Sequence, residues 1–111
     1  MRPVILASPY SGDTDLHKAY ARACLRDSLL RMEAPFASHL LYTQVLSDLN
    51  PTERQLGMDA GRAWFPTSHA CVVYTDLGIS PGMQSDMDAA RRLGVHVEIR
   101  NLEFGLQKNI S

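Results

Sequence analysis

The chain has 111 residues, 45% of them hydrophobic and 21% charged, with a formal net charge of -1. The length fits one domain spanning residues 1–111, and the balance fits a globular chain rather than a disordered one. Near-neutral charge leaves no electrostatic case for binding nucleic acid polymer or an anionic membrane, and no apolar run approaches the roughly 20 residues of a membrane span.

The opening MRPVILASPY has too short an apolar stretch for a secretory signal. Residues 3–7 (PVILA) form an apolar run stopped by Ser8-Pro9 and predict a buried strand. A loop follows over residues 8–13. Residues 15–33 contain neither Gly nor Pro, and Leu16, Ala19, Tyr20, Ala23, Cys24 and Leu30 recur at helical spacing. They predict an amphipathic helix facing the core through those side chains.

A short second strand is expected over residues 34–38, and residues 39–49 are ambiguous between helix and loop. Asn50-Pro51 starts a helix, with Asn capping, Pro at the first position and Glu53 placed for a capping box. That helix is expected to reach about Phe65 and to stop at Pro66. Residues 70–75 (ACVVYT) read as a second buried strand. Ser80-Pro81 repeats the cap-then-proline start, with a helix to Leu93 and Gly94 as its stop. Residues 95–99 read as the last strand, and the tail from residue 100 carries no pattern.

Strands alternating with helices predict an α/β fold: a four- or five-stranded, mainly parallel sheet with helices on both faces. Ligands of such sheets sit beyond the carboxyl ends of the strands, where strand order reverses. Two loops leave strands at that edge, 8–13 and 76–82, and the chemistry is expected there.

In the second loop, Ser80 and Gly82 open a helix whose free N–H groups can hold an anion, with Ser80 adding a hydroxyl and Gly82 allowing close approach. The alternative is a plain capped helix. Asp86 lies one turn in, in register with Met83, Ala90 and Leu93, so its carboxylate sits at the margin of an apolar stripe and is costly unless it is used or paired. It is a candidate nucleophile, or simply an acid favoured near a helix N-terminus. Asp88 can pair with Arg91 and Arg92 and is expected to be solvated. The first loop brings Ser8, Ser11, Tyr10 and Asp13 around Gly12. Tyr10 can hydrogen-bond Asp86, and Asp13 or Thr14 can cap the following helix. His39 can reach the same cleft or be structural. Cys24 and Cys71 read as reduced core residues of a cytoplasmic protein, neither a disulfide nor a metal site. No His/Cys set has metal-ligand spacing, and no G-x-S-x-G, P-loop or G-x-G-x-x-G motif occurs, so neither metal nor cofactor is expected.

Taken in order, S-P-Y-S-G (from Ser8), A-P-F-A-S-H-L-L-Y (from Ala34), N-P-T-E-R-Q-L-G-M-D-A-G (from Asn50) and D-L-G-I-S-P-G-M-Q-S-D-M-D-A-A (from Asp76) resemble a small phage- and bacteria-associated branch of the nucleoside 2-deoxyribosyltransferase-like superfamily. That superfamily includes 2'-deoxynucleoside 5'-phosphate N-hydrolases. The resemblance spans residues 3–99, and S-x-G-M-x-x-[acid]-x-x-x-A is its most specific part. It implies a flavodoxin-like three-layer sandwich, and a homodimer or higher homo-oligomer in the cytoplasm, a host's if phage-encoded. Asp86 is the implied nucleophile, Tyr10 its orienter, and Asp76 or Asp13 the acid for the departing base. Ser80, Gly82 and Met83 are the implied phosphate loop, with Ser8, Ser11, Gly12 and His39 as further substrate contacts.

The implied substrate is a small nucleoside or nucleotide. The implied reaction is N-glycosidic cleavage of a (deoxy)nucleoside 5'-monophosphate. Base exchange by a deoxyribosyltransferase and a non-catalytic nucleotide-binding regulator are the alternatives. Two positions depart from the superfamily's pattern. Asp86 stands where Glu is usual and is one methylene shorter, and His69 stands where Asp is frequent.

Overall fold

The computed structural model describes residues 1–102. Four parallel strands, β1 (Arg2–Ala7), β2 (Glu33–Phe36), β3 (Ala70–Tyr74) and β4 (His96–Arg100), form a sheet in the order β2-β1-β3-β4. Four α-helices connect them: α1 (Thr14–Leu30), α2 (Ser38–Leu41), α3 (Pro51–Arg62) and α4 (Pro81–Arg92). Short 3-10 turns follow α2 at Tyr42–Gln44 and α3 at Phe65–Thr67. This is the expected α/β architecture, with four strands among the described residues. Residues 103–111, most of the unpatterned tail, lie outside them. No helix among the described residues is long and apolar enough to cross a membrane.

The central strands are apolar on both faces because both faces are covered. Val4, Leu6, Ala70, Val72 and Tyr74 pack with Tyr20 and Cys24 of α1. Ile5, Ala7, Cys71 and Val73 pack on the other face with Met83, Met87, Ala89 and Ala90 of α4 and with Phe65. Helix, sheet and helix therefore make three layers. Cys24 and Cys71 are free and buried, and burial pushes each thiol up to about 12.

The helix starts form at the expected residues. Asp13 accepts from the Leu16 N–H at 3.1 Å, Asn50 from Thr52 and Glu53 at 3.0 and 3.1 Å, and Ser80 from Met83 at 3.2 Å. Glu53 makes no capping box; its carboxylate accepts from the Ser47 N–H at 3.1 Å and ties down the loop before α3. The buried side of α1 is also narrower than its pattern suggests. Tyr20, Ala21, Cys24 and Ser28 are buried, whereas Leu16 and Leu30 are 38% and 70% exposed. The buried stripe, about 100° wide, runs from Tyr20 through Cys24 and Ser28 to Ala21, and Leu16 and Leu30 lie beyond its Tyr20 edge.

A polar network that local pattern does not reveal ties the strands together. Arg100 grips both carboxylate oxygens of Glu33 at 2.7 Å, Ser28 donates to Glu33 at 2.8 Å, and Arg2 bridges Glu33 and Glu98 at 2.9 Å each. The Arg100 guanidinium holds the Glu33 carboxyl down at about 2, against burial, which raises it. A carboxylate depressed from 4.5 contributes stability that is complete above pH 4.5 and fades as pH falls toward 2. Glu33→Ala should therefore cost about 3 kcal/mol at pH 7, because it removes the carboxylate that Arg100, Arg2 and Ser28 all hold and leaves Arg100 with Glu98 as its charged partner. In urea unfolding, the gap between wild type and variant should shrink steadily below pH 4 as the wild-type carboxylate becomes protonated.

Candidate active site

Strand order reverses between β1 and β3. The chain leaves β1 toward β2 on one side, and leaves β3 toward β4 on the other. The two departing loops diverge there and leave a cleft. The cavity is lined from four directions: Ser8, Tyr10 and Ser11 from the loop after β1; Ser38, His39, Tyr42 and Thr43 from α2 and its following turn; Arg54, Gly57, Met58, Gly61 and Arg62 from α3; and Ser80, Gly82, Met83 and Asp86 from the start of α4.

The α3 wall depends on glycine. A Cβ on Gly61 would lie 2.8 Å from Ser38 Oγ and 3.0 Å from Ser38 Cβ, so only hydrogen lets α2 sit this close to α3. Phe36 then packs against Trp64 and Tyr42, with ring centroids 5.5 and 5.9 Å apart, and holds the end of β2 to this wall. The seated α2 delivers His39, whose Nε2 is 2.7 Å from Ser8 Oγ. Desolvation lowers the imidazole from 6.5 to about 4, so His39 is neutral at neutral pH.

At the start of α4, Ser80 Oγ accepts from the Met83 N–H, which leaves its own proton free to donate. Gly82 contrasts with Gly61. A Cβ there would come no nearer than 3.9 Å to Ser80 Oγ, so packing places no demand for glycine at this point of the wall. Asp86 faces the cavity one turn on, between the buried Met83 and Ala90. Its side chain is 36% accessible, yet desolvation dominates and raises the carboxyl to about 6, opposed by the charge of Arg62. As expected, Asp88 turns away, accepting from Gln84 at 3.0 Å and lying 3.8 Å from Arg91.

The cavity thus gathers Asp86, Tyr10, Ser8, Ser11, His39, Ser80, Gly82 and Met83 among the residues picked from sequence. It does not gather Asp76, Asp13 or Gly12. The Asp76 carboxylate accepts from the Tyr20 hydroxyl and from the Leu102 N–H at 2.9 Å, which ties α1 to the segment after β4. Asp13 caps α1, and Gly12 takes a φ of +92 in the exposed turn before it. Among the described residues no hydrogen bond joins the Tyr10 phenol to Asp86; the two share the cavity without touching through a proton. The backbone carbonyl of Tyr10 instead lies 3.1 Å from His17 Nδ1, which pins the loop to α1. Arg62 and Thr43 line the cavity without having been singled out. The spacing Gly57-x-x-x-Gly61 in an otherwise helix-forming segment was the available sign that another element packs closely there. Among the described residues no group of three metal-ligating side chains occurs.

The layers, the strand order and the cleft define a flavodoxin-like α/β fold. A 2-deoxyribosyltransferase from the psychrotolerant bacterium Bacillus psychrosaccharolyticus superposes with a TM-score of 0.64, covering 89% of this chain and 72% of that one at 17% identity. A family model described as a domain of unknown function, DUF7768, matches residues 2–100, and the chain belongs to that family. No curated protein matches the sequence.

The α2–α3 contact yields a direct expectation. Gly61→Ala should cost about 2 kcal/mol through overpacking against Ser38. Because α2 must shift and admit water, the NMR titration midpoint of His39 should rise from about 4 toward its ordinary 6.5.

Proposed function

We propose that this protein cleaves the N-glycosidic bond of a (deoxy)nucleoside 5'-monophosphate through a covalent glycosyl-enzyme on Asp86, releasing the free base. The observation that carries this reading is a partly desolvated carboxylate facing a cavity one turn inside a helix N-terminus. Glycosidic cleavage develops positive charge at the anomeric carbon, and a carboxylate beneath that carbon stabilises the charge and then bonds to it.

In the first step an Asp86 carboxylate oxygen bonds to the anomeric carbon. The carbon–nitrogen bond breaks, its electron pair leaves with the base, and the base takes up a proton from the solvent, which the water of the second step replaces. In the second step water attacks the same carbon, the carbon–oxygen ester bond breaks with its electron pair returning to the Asp86 carboxylate, and the water gives up a proton to the solvent. Pro81 has no N–H, and those of Met83 and Gln84 are given to Ser80, so the Ser80 hydroxyl and the Gly82 N–H are the donors for the phosphate, and Gly82 lets its oxygens come close. Ser8 and His39, joined to each other at 2.7 Å in the same cavity, are the sugar contacts of this reading. Asp76 and Asp13, which lie outside the cavity lining, have no part in this reading. Transfer of the sugar to a second base is the alternative outcome of the same intermediate, and the fold shared with a 2-deoxyribosyltransferase is the observation that favours it.

The assay is to incubate the protein with each deoxynucleoside and its 5'-monophosphate and to measure free base by chromatography, with and without a second base. Wild type should release base, and Asp86→Ala should abolish release. Gly82→Ala should leave the unfolding midpoint within about 2 °C, because a Cβ there meets nothing nearer than Ser80 Oγ at 3.9 Å. The same change should lower turnover of the monophosphate by about 10²-fold while barely affecting the nucleoside. Nucleotide binding without release by wild type would make the protein a sensor instead.

A further inference from the structure

Arg62, the last residue of α3, stands beside Asp86 across the cavity wall. Its Nη2 lies 3.8 Å from Asp86 Oδ1 and donates to Ser85 Oγ at 2.5 Å. Its Nε is buried and makes no hydrogen bond. Among the described residues no other Lys or Arg forms an ion pair with Asp86. The guanidinium therefore presents its charge to the carboxylate while spending a hydrogen bond on the neighbouring hydroxyl, and the 3.8 Å separation is too long for a hydrogen bond to the carboxylate itself.

That arrangement suits a nucleophile better than a clamp does. A bidentate Arg–carboxylate pair would occupy the lone pairs that must attack. With no charge nearby, a carboxylate at the edge of the core drifts toward its neutral form, which cannot attack. We propose that Arg62, tethered by Ser85, is the positioning residue that keeps the Asp86 carboxylate ionised and unclamped in the cavity. This rests on Asp86 being the nucleophile of the proposed reaction.

Burial pushes Asp86 up to about 6, and Arg62 is the charge that opposes it. The other ionisable groups around the cavity are Tyr10 from the loop after β1, His39 and Tyr42 from α2 and its turn, Asp48 from the loop before α3, and Glu53 and Arg54 in the first turn of α3. Behind Asp86, the buried Cys71 of β3 is held neutral, and Asp88 on α4 is engaged by Gln84 and Arg91. All of these are unchanged when Arg62 alone is replaced, so the difference isolates the guanidinium.

The experiment pairs a titration with a rate profile. The Asp86 carboxyl carbon is followed by 13C NMR from pH 4 to 9 in the wild type, Arg62→Met, Arg62→Lys and Ser85→Ala. Arg62→Met should raise the midpoint by about one pH unit, and Arg62→Lys should restore most of the shift. Ser85→Ala frees the guanidinium to close on the carboxylate and should lower the midpoint. In base release, kcat/KM of Arg62→Met should fall about tenfold at pH 5.5 and stay within about twofold at pH 8.5. An unmoved midpoint in folded Arg62→Met, or an equal rate loss at every pH, overturns the proposal. If Arg62→Met does not fold, Arg62→Lys and Ser85→Ala decide it by the same midpoints, which must then be close to wild type and below it respectively. If the wild type turns over no substrate, the glycosidase reading falls, while the NMR midpoints still decide what Arg62 does.

Discussion

A carboxylate that is partly denied water must either be neutralised or be used, and Asp86 is placed where that choice shapes its surroundings. It stands on the second turn of α4, flanked by Met83 and Ala90, which are 1% and 0% exposed, while its own side chain opens into the cavity. Desolvation raises its proton affinity, and one cation lies at a distance that tempers this rise without a hydrogen bond. The helix that carries it begins with Ser80, whose hydroxyl caps the helix as an acceptor and keeps a proton to give. An anion at the start of α4 and the Asp86 carboxylate thus have different groups to meet: the Ser80 hydroxyl and Gly82 N–H of α4 for the one, and the Arg62 guanidinium at the end of α3 for the other.

The scaffold keeps those groups in register. The reversal of strand order between β1 and β3 opens the cleft, and the apolar strands, buried on both faces, fix where each loop leaves the sheet. Gly61 closes the third side by allowing α2 to approach α3, and this brings His39 to Ser8. Away from the cavity, the Arg2–Glu33–Glu98–Arg100 network joins β1, β2 and β4, and Asp76 joins α1 to the segment after β4. Asp76 sits next to the cavity loops in sequence yet spends its carboxylate on architecture.

Much of this was legible in the residues. Parallel central strands read as unbroken apolar runs, so residues 3–7 and 70–75 announced β1 and β3. Asn50-Pro51 and Ser80-Pro81 announced α3 and α4, because capping is chemistry between residues two or three apart. The marginal placement of Asp86 followed from helical period alone. Less was legible where structure depends on distant partners. Glu33 and Arg100 are 67 residues apart, and Tyr20 and Asp76 are 56 apart, so no local pattern marks either pair. Arg62 and Ser85 are 23 residues apart on different helices. Leu16 and Leu30 share helical period with the core residues of α1 but lie beyond the edge of the sheet contact. The four-residue α2 is too short to carry a period, and it owes its place to packing on Gly61.

The central claim is that the Asp86 carboxylate bonds to a sugar. The most direct measurement is to mix the protein with a 2'-fluorinated nucleoside 5'-monophosphate, whose slowed hydrolysis lets an ester accumulate, and to record intact mass followed by peptide mapping. The account predicts a mass gain equal to the fluorinated sugar phosphate, located on the peptide at Asp86 and missing in Asp86→Asn. Release of base with no adduct, or an adduct on any other residue, would contradict it.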